Sequence, residues 1–321
     1  MSVRRTSVAS WLRGGQAPPD RQDELLKKMD ALARKVDGLT KAVEKLAVGQ
    51  KEAAKWRQIF RKQLASLVRA QYVAAGLPGP RGIEARRFRL RSQNEEDGII
   101  LALLEATGVA TRKFVEIGSG GTGGNCGVLA RELGWDGLMV DASEAAARAA
   151  RLTFGSNPGV VVLNKRVSTA TINHQLTKSG FAGEVDVLSI DIDSFDYWLL
   201  DAIEVTTSRI LVMEYNAQFG PDLAVTIPNA ARPKGTPKAY LGASLAALEK
   251  CARRKGYRLV LCEEMGVNAF FIRDGLAPQL PGLTPQQAYR PKIDRRTVDD
   301  SVVTKDLLGE IAARGLPLVE V

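Results

Sequence analysis

From residue 113 onward, short runs of apolar residues alternate with longer stretches whose apolar residues recur at helical spacing. The apolar runs predict five strands, at 113–117, 137–142, 159–164, 185–192 and 209–216. The stretches between them predict helices near 125–133, 143–154, 170–178 and 195–203. Continuous apolar strands separated by helices are typical of a parallel sheet that is covered on both faces. The pattern therefore predicts an α/β fold with a doubly wound, mostly parallel sheet.

The last two predicted strands are connected differently from the first five. Residues 241–256 have the spacing of an amphipathic helix, and apolar runs follow it at 257–264 and 268–274. Only residues 265–267 separate these two runs, whereas a parallel crossover needs about a dozen residues or more. We therefore expect a terminal antiparallel hairpin, which completes a seven-stranded, Rossmann-like sheet.

A further helix is predicted just before the first strand, in the stretch SQNEEDGIILALLEATG. Ser92 has Glu95 three residues after it, which is the spacing of a capping box at a helix start. The apolar residues that follow are spaced so that they form one buried face. They are Ile99, Ile100, Leu103 and Leu104.

Residues 25–67 carry a seven-residue apolar repeat of a different kind. Its clearest part has apolar residues alternately four and three apart, at Leu25, Met29, Leu32, Val36, Leu39, Val43 and Leu46. Such a repeat makes a narrow apolar seam and drives helices to form a coiled coil, here with a preference for two strands. Gln50 and Arg57 interrupt the seam. We predict a homo-oligomer joined through 25–67; the alternative is a single helix that packs on its own domain.

Breaks in these patterns divide the chain into segments. Glycine and proline at 76–80 end the N-terminal helix, since both disfavour its continuation. The predicted segments are a flexible lead (1–20), a coiled-coil helix (21–75), a basic linker (76–91), the α/β domain (92–275) and a C-terminal extension (276–321).

Positive charge is concentrated in the N-terminal part of the chain. The net charge is +9, and residues 1–91 hold 21 of the 45 Lys and Arg residues but only 8 of the 36 Asp and Glu residues. Such a region suits an anionic partner, for example nucleic acid, lipid or glycan. The same composition also suits a helix face that is simply solvated.

Composition and cysteine usage narrow the class of protein. The chain has 321 residues, 45% of them apolar, and no apolar run that approaches the ~20 residues of a membrane span. We therefore predict a soluble globular protein without a transmembrane segment. The three cysteines, Cys126, Cys251 and Cys262, lie far apart. Their spacing argues against a disulfide framework or a zinc ribbon and predicts a cytoplasmic location.

Five glycines lie between Gly118 and Gly124, directly after the first predicted strand. Glycine is entropically costly to order, so the run indicates either a ligand close to the backbone or a tight turn with close helix–sheet packing. Ligands of such sheets bind at the carboxyl ends of the strands, where Asp141 is placed to bind a ribose diol. These features fit a dinucleotide or S-adenosylmethionine. Glu116 favours the latter, because a carboxylate suits its cationic amino-acid end but not a pyrophosphate.

The motif EIGSG at 116–120, together with Asp141 and the closing hairpin, resembles the class I S-adenosylmethionine-dependent methyltransferases. Within that class, SQNEEDGII, LSIDIDSFDYW and NAFFIRD resemble the FkbM-type enzymes, many of which methylate hydroxyls of sugars or small molecules. The resemblance covers roughly residues 90–275, with Ser189 and Ser194 at positions where the family usually has lysine and glycine. It implies S-adenosylmethionine as cofactor, held by Glu116, Gly118, Ser119, Gly120, Asp141 and Asn164.

Acidic and amide residues lie at the ends of the fourth and fifth predicted strands and are expected at the same sheet edge. They are Asp191, Asp193 and Asp196 at and beyond the end of the fourth strand, and Glu214 with Asn216 at the end of the fifth. Asp191 and Asp193 are candidate catalytic residues, because a carboxylate can take the proton of an attacking hydroxyl. Alternatively, Asp193, Glu214 and Asn216 can bind Mg²⁺, as hard oxygen ligands do. A third possibility is that these acids cap the following helix.

A histidine and a long loop are two further candidates for the functional site. His174 is the single histidine and lies on the helix before the fourth strand, where a packing or surface role is commoner than catalysis. The loop at 227–240 contains Arg232, Lys234, Lys238 and Tyr240 and has the length of a substrate lid or a mobile surface loop.

The sequence therefore predicts an S-adenosylmethionine-dependent methyltransferase that acts on a hydroxyl of a glycan or small molecule. One alternative is an RNA methyltransferase that uses the basic N-terminal region. The other is a scaffold protein whose methyltransferase-like domain is inactive.

Overall fold

The computed structural model describes residues 83–230, 235–293, 302–303 and 306–321. The predicted lead, the coiled coil and residues 76–82 of the basic linker lie outside the described residues. Backbone contacts divide the chain into two units, Met1–Arg81 and Gly82–Val321. The fold described below is that of the second unit.

A seven-stranded sheet forms the centre of the domain. Its strands are β1 (Lys113–Ile117), β2 (Asp136–Asp141), β3 (Val160–Asn164), β4 (Gly183–Ile190), β5 (Thr206–Glu214), β7 (Tyr257–Cys262) and β8 (Asn268–Arg273). They lie in the order β3-β2-β1-β4-β5-β8-β7. The first five strands are parallel to one another, and β8 is antiparallel to both β5 and β7. This confirms the predicted mostly parallel sheet with its terminal hairpin.

Eight α-helices in the described residues flank or follow the sheet. They are α1 (Glu96–Thr107), α2 (Gly127–Arg131), α3 (Glu144–Phe154), α4 (Ile172–Lys178), α5 (Asp196–Ala202), α6 (Leu245–Arg254), α7 (Pro285–Ala288) and α8 (Leu307–Ala313). Three short 3-10 helices lie at Ile83–Arg86, Gly124–Cys126 and Ala217–Phe219. No helix among the described residues is long and apolar enough to span a bilayer.

The apolar faces of these elements form the core. On α3, Ala147, Ala150 and Phe154 recur three and four residues apart and are all buried against the sheet side. The predicted buried face of α1 is confirmed, because Ile99, Ile100, Leu103 and Leu104 are all buried. β1 and β4 are buried on both faces, as expected for central parallel strands.

The start of α1 differs from the prediction. The capping box of Ser92 and Glu95 is wrong, because Glu95 makes no side-chain capping bond and the helix begins at Glu96. The buried carboxylate of Asp97 instead accepts the backbone N–H groups of Leu90, Arg91 and Ser92. In return, the hydroxyl of Ser92 accepts the N–H of Asp97.

The strand order places a switch point between β1 and β4. The chain runs outward from β1 through β2 to β3, then returns to place β4 on the other side of β1. Loops that leave β1 and β4 therefore diverge to opposite faces, and a crevice opens at the carboxyl ends of these strands.

The C-terminal extension lies along one edge of the sheet. The N–H of Leu283 donates to the carbonyl of Leu259 in β7, and the Arg258 guanidinium donates to the carbonyls of Leu276, Ala277 and Leu280. Further on, β9 (Val319–Glu320) pairs with the short strand β6 (Val225–Thr226). At the other edge of the sheet, β3 pairs with β2 alone among the described strands.

Candidate functional site

A cleft of about 380 Å³ opens at the carboxyl edge of the sheet, over the switch point. One wall comes from the loops after β1 and β2, and another from the loop after β4. Lys165, Arg166 and Val167, after β3, close one end. The cleft is lined by Gly118, Gly120, Asp141, Asp191, Asp193 and Phe195, among others. Doubly wound sheets generally bind their ligands at this position.

The loop after β1 touches the loop after β4. Gly118 has a φ of +94°, and a Cβ built on it would lie 1.5 Å from the carbonyl oxygen of Asp191. The N–H of Asp191 in turn donates to the carbonyl of Ile117. The two walls of the cleft are therefore held against each other by backbone contacts at this glycine.

Asp141 connects the glycine loop with the start of α3. Its Oδ2 accepts the N–H of Gly120 at 2.8 Å, and its Oδ1 accepts the N–H of Ser143 at 2.7 Å. Asp141 is half-buried and lines the cleft. Since each carboxylate oxygen accepts more than one hydrogen bond, both oxygens retain capacity for a ligand hydroxyl.

Glu116 lies behind the glycine loop and does not line the cleft. It is fully buried; Oε2 accepts the N–H of Cys126 at 2.8 Å, and Oε1 accepts the hydroxyl of Ser189 at 3.0 Å. Asn125 donates to the same Ser189 hydroxyl. Burial raises the pKa of Glu116 from its usual 4.5 to about 7, although the bonds from Cys126, Asn125 and Ser189 oppose this shift.

Ser119 and Asn164 are also set back from the cleft wall. Ser119 is fully buried, and the Asn164 side chain donates to the carbonyl of Asp141 at 3.0 Å. Of the six residues expected to hold the cofactor, Gly118, Gly120 and Asp141 reach the cleft directly. For Glu116, Ser119 and Asn164 the geometry supports a role in holding the loops in place.

The buried Glu116 carboxyl predicts how stability depends on pH. A pKa that is higher in the folded state means that the folded protein binds the proton more tightly, so this stabilisation is present below about pH 4.5 and is lost as pH rises through about 7. Glu116→Gln, which has no titrating proton, should remove at most ~3 kcal/mol of this pH dependence. Urea unfolding of both proteins at pH 5 and pH 8 measures the difference. An equal pH dependence in the two proteins would show that Glu116 does not bind a proton in this range.

Several cleft residues were not identified from the sequence. Lys165 and Arg166 line the cleft and follow β3 directly, as Asp141 ends β2. Because ligands bind at the carboxyl ends of parallel strands, the argument that identified Asp141 applies to these two residues as well. Phe195 lies among the acidic residues after β4, within the motif LSIDIDSFDYW. Gln93, before α1, belongs to the motif SQNEEDGII and also lines the cleft.

Three carboxylates meet at the β4–β5 side of the carboxyl edge. Asp191, Asp193 and Glu214 each offer an oxygen, and these oxygens all lie within 4.8 Å of one another. We call these three residues the acidic cluster. Asp191 and Asp193 line the cleft, and Glu214, at the end of β5, lies beneath them.

Asp196 and Asn216 have other partners. Asp196 accepts the N–H groups of Ile192 and Ser194, which precede α5. The prediction that these acids cap the helix is wrong, because no described side chain makes a capping bond at the start of α5. The Asn216 amide donates to the carbonyls of Ala239 and Leu241, and its oxygen accepts the N–H of Gln218. Both side chains thereby fix loops around the acidic cluster.

The acidic cluster is electrostatically unfavourable as it stands. Burial, followed by repulsion from Asp196 and Asp193, raises the pKa of Asp191 to about 8. Burial and repulsion from Asp191 also raise the pKa of Glu214 well above its usual value. Glu214 Oε2 is fully buried and has no hydrogen-bond partner. A group that supplies protons or positive charge would relieve this arrangement.

The other candidate residues lie away from the cleft. His174 is exposed on α4 and does not line it. Tyr240 is buried in a cluster with Phe219, Leu307 and Ile311, and its hydroxyl donates to the carbonyl of Pro317, so it packs in the core and does not face the cleft as a residue of a substrate lid would. Arg232 and Lys234 of the predicted lid lie outside the described residues.

No family model and no curated protein sequence matches the chain. Among solved structures, the N-terminal domain of EvdMO1 with SAH bound is 16% identical, with a TM-score of 0.38, covering 57% of this chain and 81% of that one. The O-methyltransferase from Bacillus cereus in complex with SAH is 14% identical, with a TM-score of 0.35, covering 73% and 96%. Mitomycin 7-O-methyltransferase MmcR is 17% identical, with a TM-score of 0.34, covering 84% and 76%. The fold assignment itself rests on the strand order and pairing described above.

Proposed function

We propose that this protein is an S-adenosylmethionine-dependent methyltransferase whose acceptor is a hydroxyl of a glycan or small molecule. One observation carries the proposal: a single cleft at the switch point has the glycine loop and Asp141 on one side and Asp191 and Asp193 on the other. The first side suits a nucleoside, and the second suits a group that loses a proton. The resemblance of residues 90–275 to FkbM-type enzymes supports the same proposal.

The cofactor side of the cleft fits an adenosine-containing ligand. The cleft volume of about 380 Å³ lies within the usual range for small-molecule sites. A Cβ on Gly120 would meet no atom within 4 Å, so there is free space where the loop faces the ligand. Asp141 would accept the ribose hydroxyls, and Gly118 and Gly120 would allow the amino-acid end to approach the backbone. When bound, the cofactor supplies a methyl group on a sulfonium sulfur.

The residues on the opposite wall favour loss of a proton from the acceptor. A hydroxyl that attacks a methyl carbon must give up its proton, and a carboxylate beside it promotes this loss directly or through a bound cation. Asp191 and Asp193 lie where such a hydroxyl would be held. The remaining contribution of the protein is to align oxygen, carbon and sulfur, which can lower the barrier substantially.

Calorimetric titration with S-adenosylmethionine tests the proposal. We expect saturable binding of S-adenosylmethionine and of its demethylated product, and no comparable binding of NAD. Transfer of a labelled methyl group to a panel of sugars, small-molecule alcohols and RNA then identifies the acceptor class. If the full chain bound neither sulfur nucleoside, the proposed function would be rejected and the scaffold alternative would stand.

The two alternatives make different predictions in the same assays. An RNA methyltransferase would transfer the label to RNA and lose that activity when residues 1–81 are removed. An inactive scaffold would bind no cofactor, or bind it without transferring the label to any acceptor. No observation in the described residues favours either alternative.

A further inference from the structure

Several buried carboxylates elsewhere in this domain accept backbone N–H groups. Asp97 accepts three on Oδ2, although its Oδ1 is buried without a partner, and Asp186 accepts those of Ala110, Thr111 and Arg112. Glu263 accepts the N–H groups of Met265, Val267 and Asn268, and Asp196 accepts two more. Burial of a charge is costly unless such partners compensate it. The domain therefore has a consistent way of holding buried acids.

The acidic cluster departs from this arrangement. Among the described residues, no backbone N–H group donates to Asp191 or Asp193; the Asp191 carboxyl is hydrogen-bonded to that of Glu214, whose Oε2 is buried without a partner. Glu214 is only 9% exposed, so water does not replace the missing donors freely. Three carboxylate oxygens within 4.8 Å of one another repel strongly when they are ionised.

Positive charge from the protein does not compensate the cluster either. Glu184, by contrast, is paired with both Arg209 and Arg273, at 3.1 and 2.8 Å. No described salt bridge reaches Asp191, Asp193 or Glu214. Lys292, in the C-terminal extension, is the cation whose charge acts favourably on Glu214, but it makes no ion pair with it.

We propose that Asp191, Asp193 and Glu214 bind a divalent cation of the Mg²⁺ class. Three convergent carboxylate oxygens are the hard ligands that such ions prefer, and their spacing allows all three to contact one ion. Mg²⁺ usually retains several waters, and Asp191 and Asp193 line the open cleft, where water or an acceptor oxygen completes the coordination. The proposed site consists of the three carboxylates; the Asn216 amide nitrogen donates to the carbonyls of Ala239 and Leu241, and its oxygen accepts the N–H of Gln218.

The cation site deepens the proposed function and rests on it for its role. An acceptor hydroxyl that coordinates the ion would lose its proton more readily, as water does on a bound metal. The existence of the site does not depend on that role, because its ligands are present without cofactor or acceptor. The two proposals can therefore fail separately.

Direct binding of Mn²⁺, followed by electron paramagnetic resonance, tests the site in the full chain without cofactor. Mn²⁺ serves as a spectroscopic substitute for Mg²⁺, since both prefer oxygen ligands. We expect one saturable site with a Kd below about 1 mM and competition by Mg²⁺. Glu214→Gln and Asp193→Asn should each weaken binding at least ~10-fold, since loss of an outer-shell partner alone usually costs that much and these residues would be direct ligands.

Both variants are expected to fold. Glu214→Gln removes a buried charge that lacks a partner, and Asp193 is exposed with a φ of +54°, a conformation that asparagine tolerates well. Asp201→Asn is the matched control, because Asp201 is an exposed acid on α5 that pairs with Arg254 away from the cleft. It should leave Mn²⁺ binding unchanged.

A second measurement uses thermal unfolding. Mg²⁺ should raise the melting temperature of the wild type and of Asp201→Asn but not that of Glu214→Gln, because a ligand of the folded state stabilises it by mass action. Absence of saturable Mn²⁺ binding to the wild type, or equal binding by wild type and both cluster variants, would overturn the proposal. Cofactor binding without cation binding would retain the proposed function and reject the cation.

Discussion

Gly118→Ala is expected to destabilise the domain by about 4 kcal/mol, the largest effect of any single substitution considered for this protein. Two costs add at this position. The residue has a φ of +94°, which side-chain-bearing residues rarely adopt, and the new Cβ would lie 1.5 Å from the carbonyl oxygen of Asp191. Because that oxygen belongs to the backbone, the loops after β1 and β4 would have to move apart. Urea unfolding of both proteins measures the loss.

Gly120→Ala provides the control for this prediction. Gly120 also has a positive φ, of +54°, but no atom lies within 4 Å of its ideal Cβ. Its substitution should therefore cost only the backbone strain, roughly 1–2 kcal/mol. Comparable losses in the two variants would mean that the loops after β1 and β4 are not in close contact, and the description of the cleft walls would need revision.

Asp141→Ala is expected to weaken S-adenosylmethionine binding by about 100-fold, the equivalent of roughly 2.7 kcal/mol. The variant loses the carboxylate that would accept the ribose hydroxyls. It also frees the N–H groups of Gly120 and Ser143, which Asp141 holds at 2.8 and 2.7 Å. The glycine loop would then be less well ordered before the ligand arrives. Isothermal titration calorimetry of wild type and variant measures the change.

Asp136→Ala is the matched control for the binding experiment. Asp136 is an exposed acid at the first position of β2, five residues before Asp141, and therefore lies at the opposite end of the strand from the cleft. Its removal changes the net charge equally without touching the cleft. If Asp141→Ala bound the cofactor as tightly as Asp136→Ala does, Asp141 would have no part in ribose recognition.

The sheet was predictable because its signal is strong and repeated. Apolar runs such as those of β1 and β4 are buried on both faces, so their composition alone indicates central parallel strands. The hairpin of β7 and β8 was predictable because its short connection leaves no other geometry. Helix starts were less predictable: at α1, Asp97 satisfies the preceding N–H groups from inside the helix, which a Ser–Glu spacing does not reveal.

The site was predictable only as far as chain order determines position. Gly118, Gly120 and Asp141 follow strand ends and reach the cleft. Glu116 precedes its strand end and points to the buried Ser189 and the N–H of Cys126, which strand order does not specify. Similarly, chain order brings Glu214 and Asn216 to the same edge, but it does not reveal that Glu214 lies against Asp191 and Asp193 or that the Asn216 amide donates to the carbonyl of Ala239.

The unequal edges of the sheet determine how copies of this domain can assemble. The C-terminal extension lies along β7, whereas β3 is a short, uncharged strand whose Val161 is exposed. Unpaired strand edges tend to recruit further strands. Among the described residues, β7 is bonded to the C-terminal extension at Leu259, which leaves β3 as the edge strand that could pair with a second copy. Pairing of β3 with β3 would use this edge in both copies, so such an association would end at a closed pair.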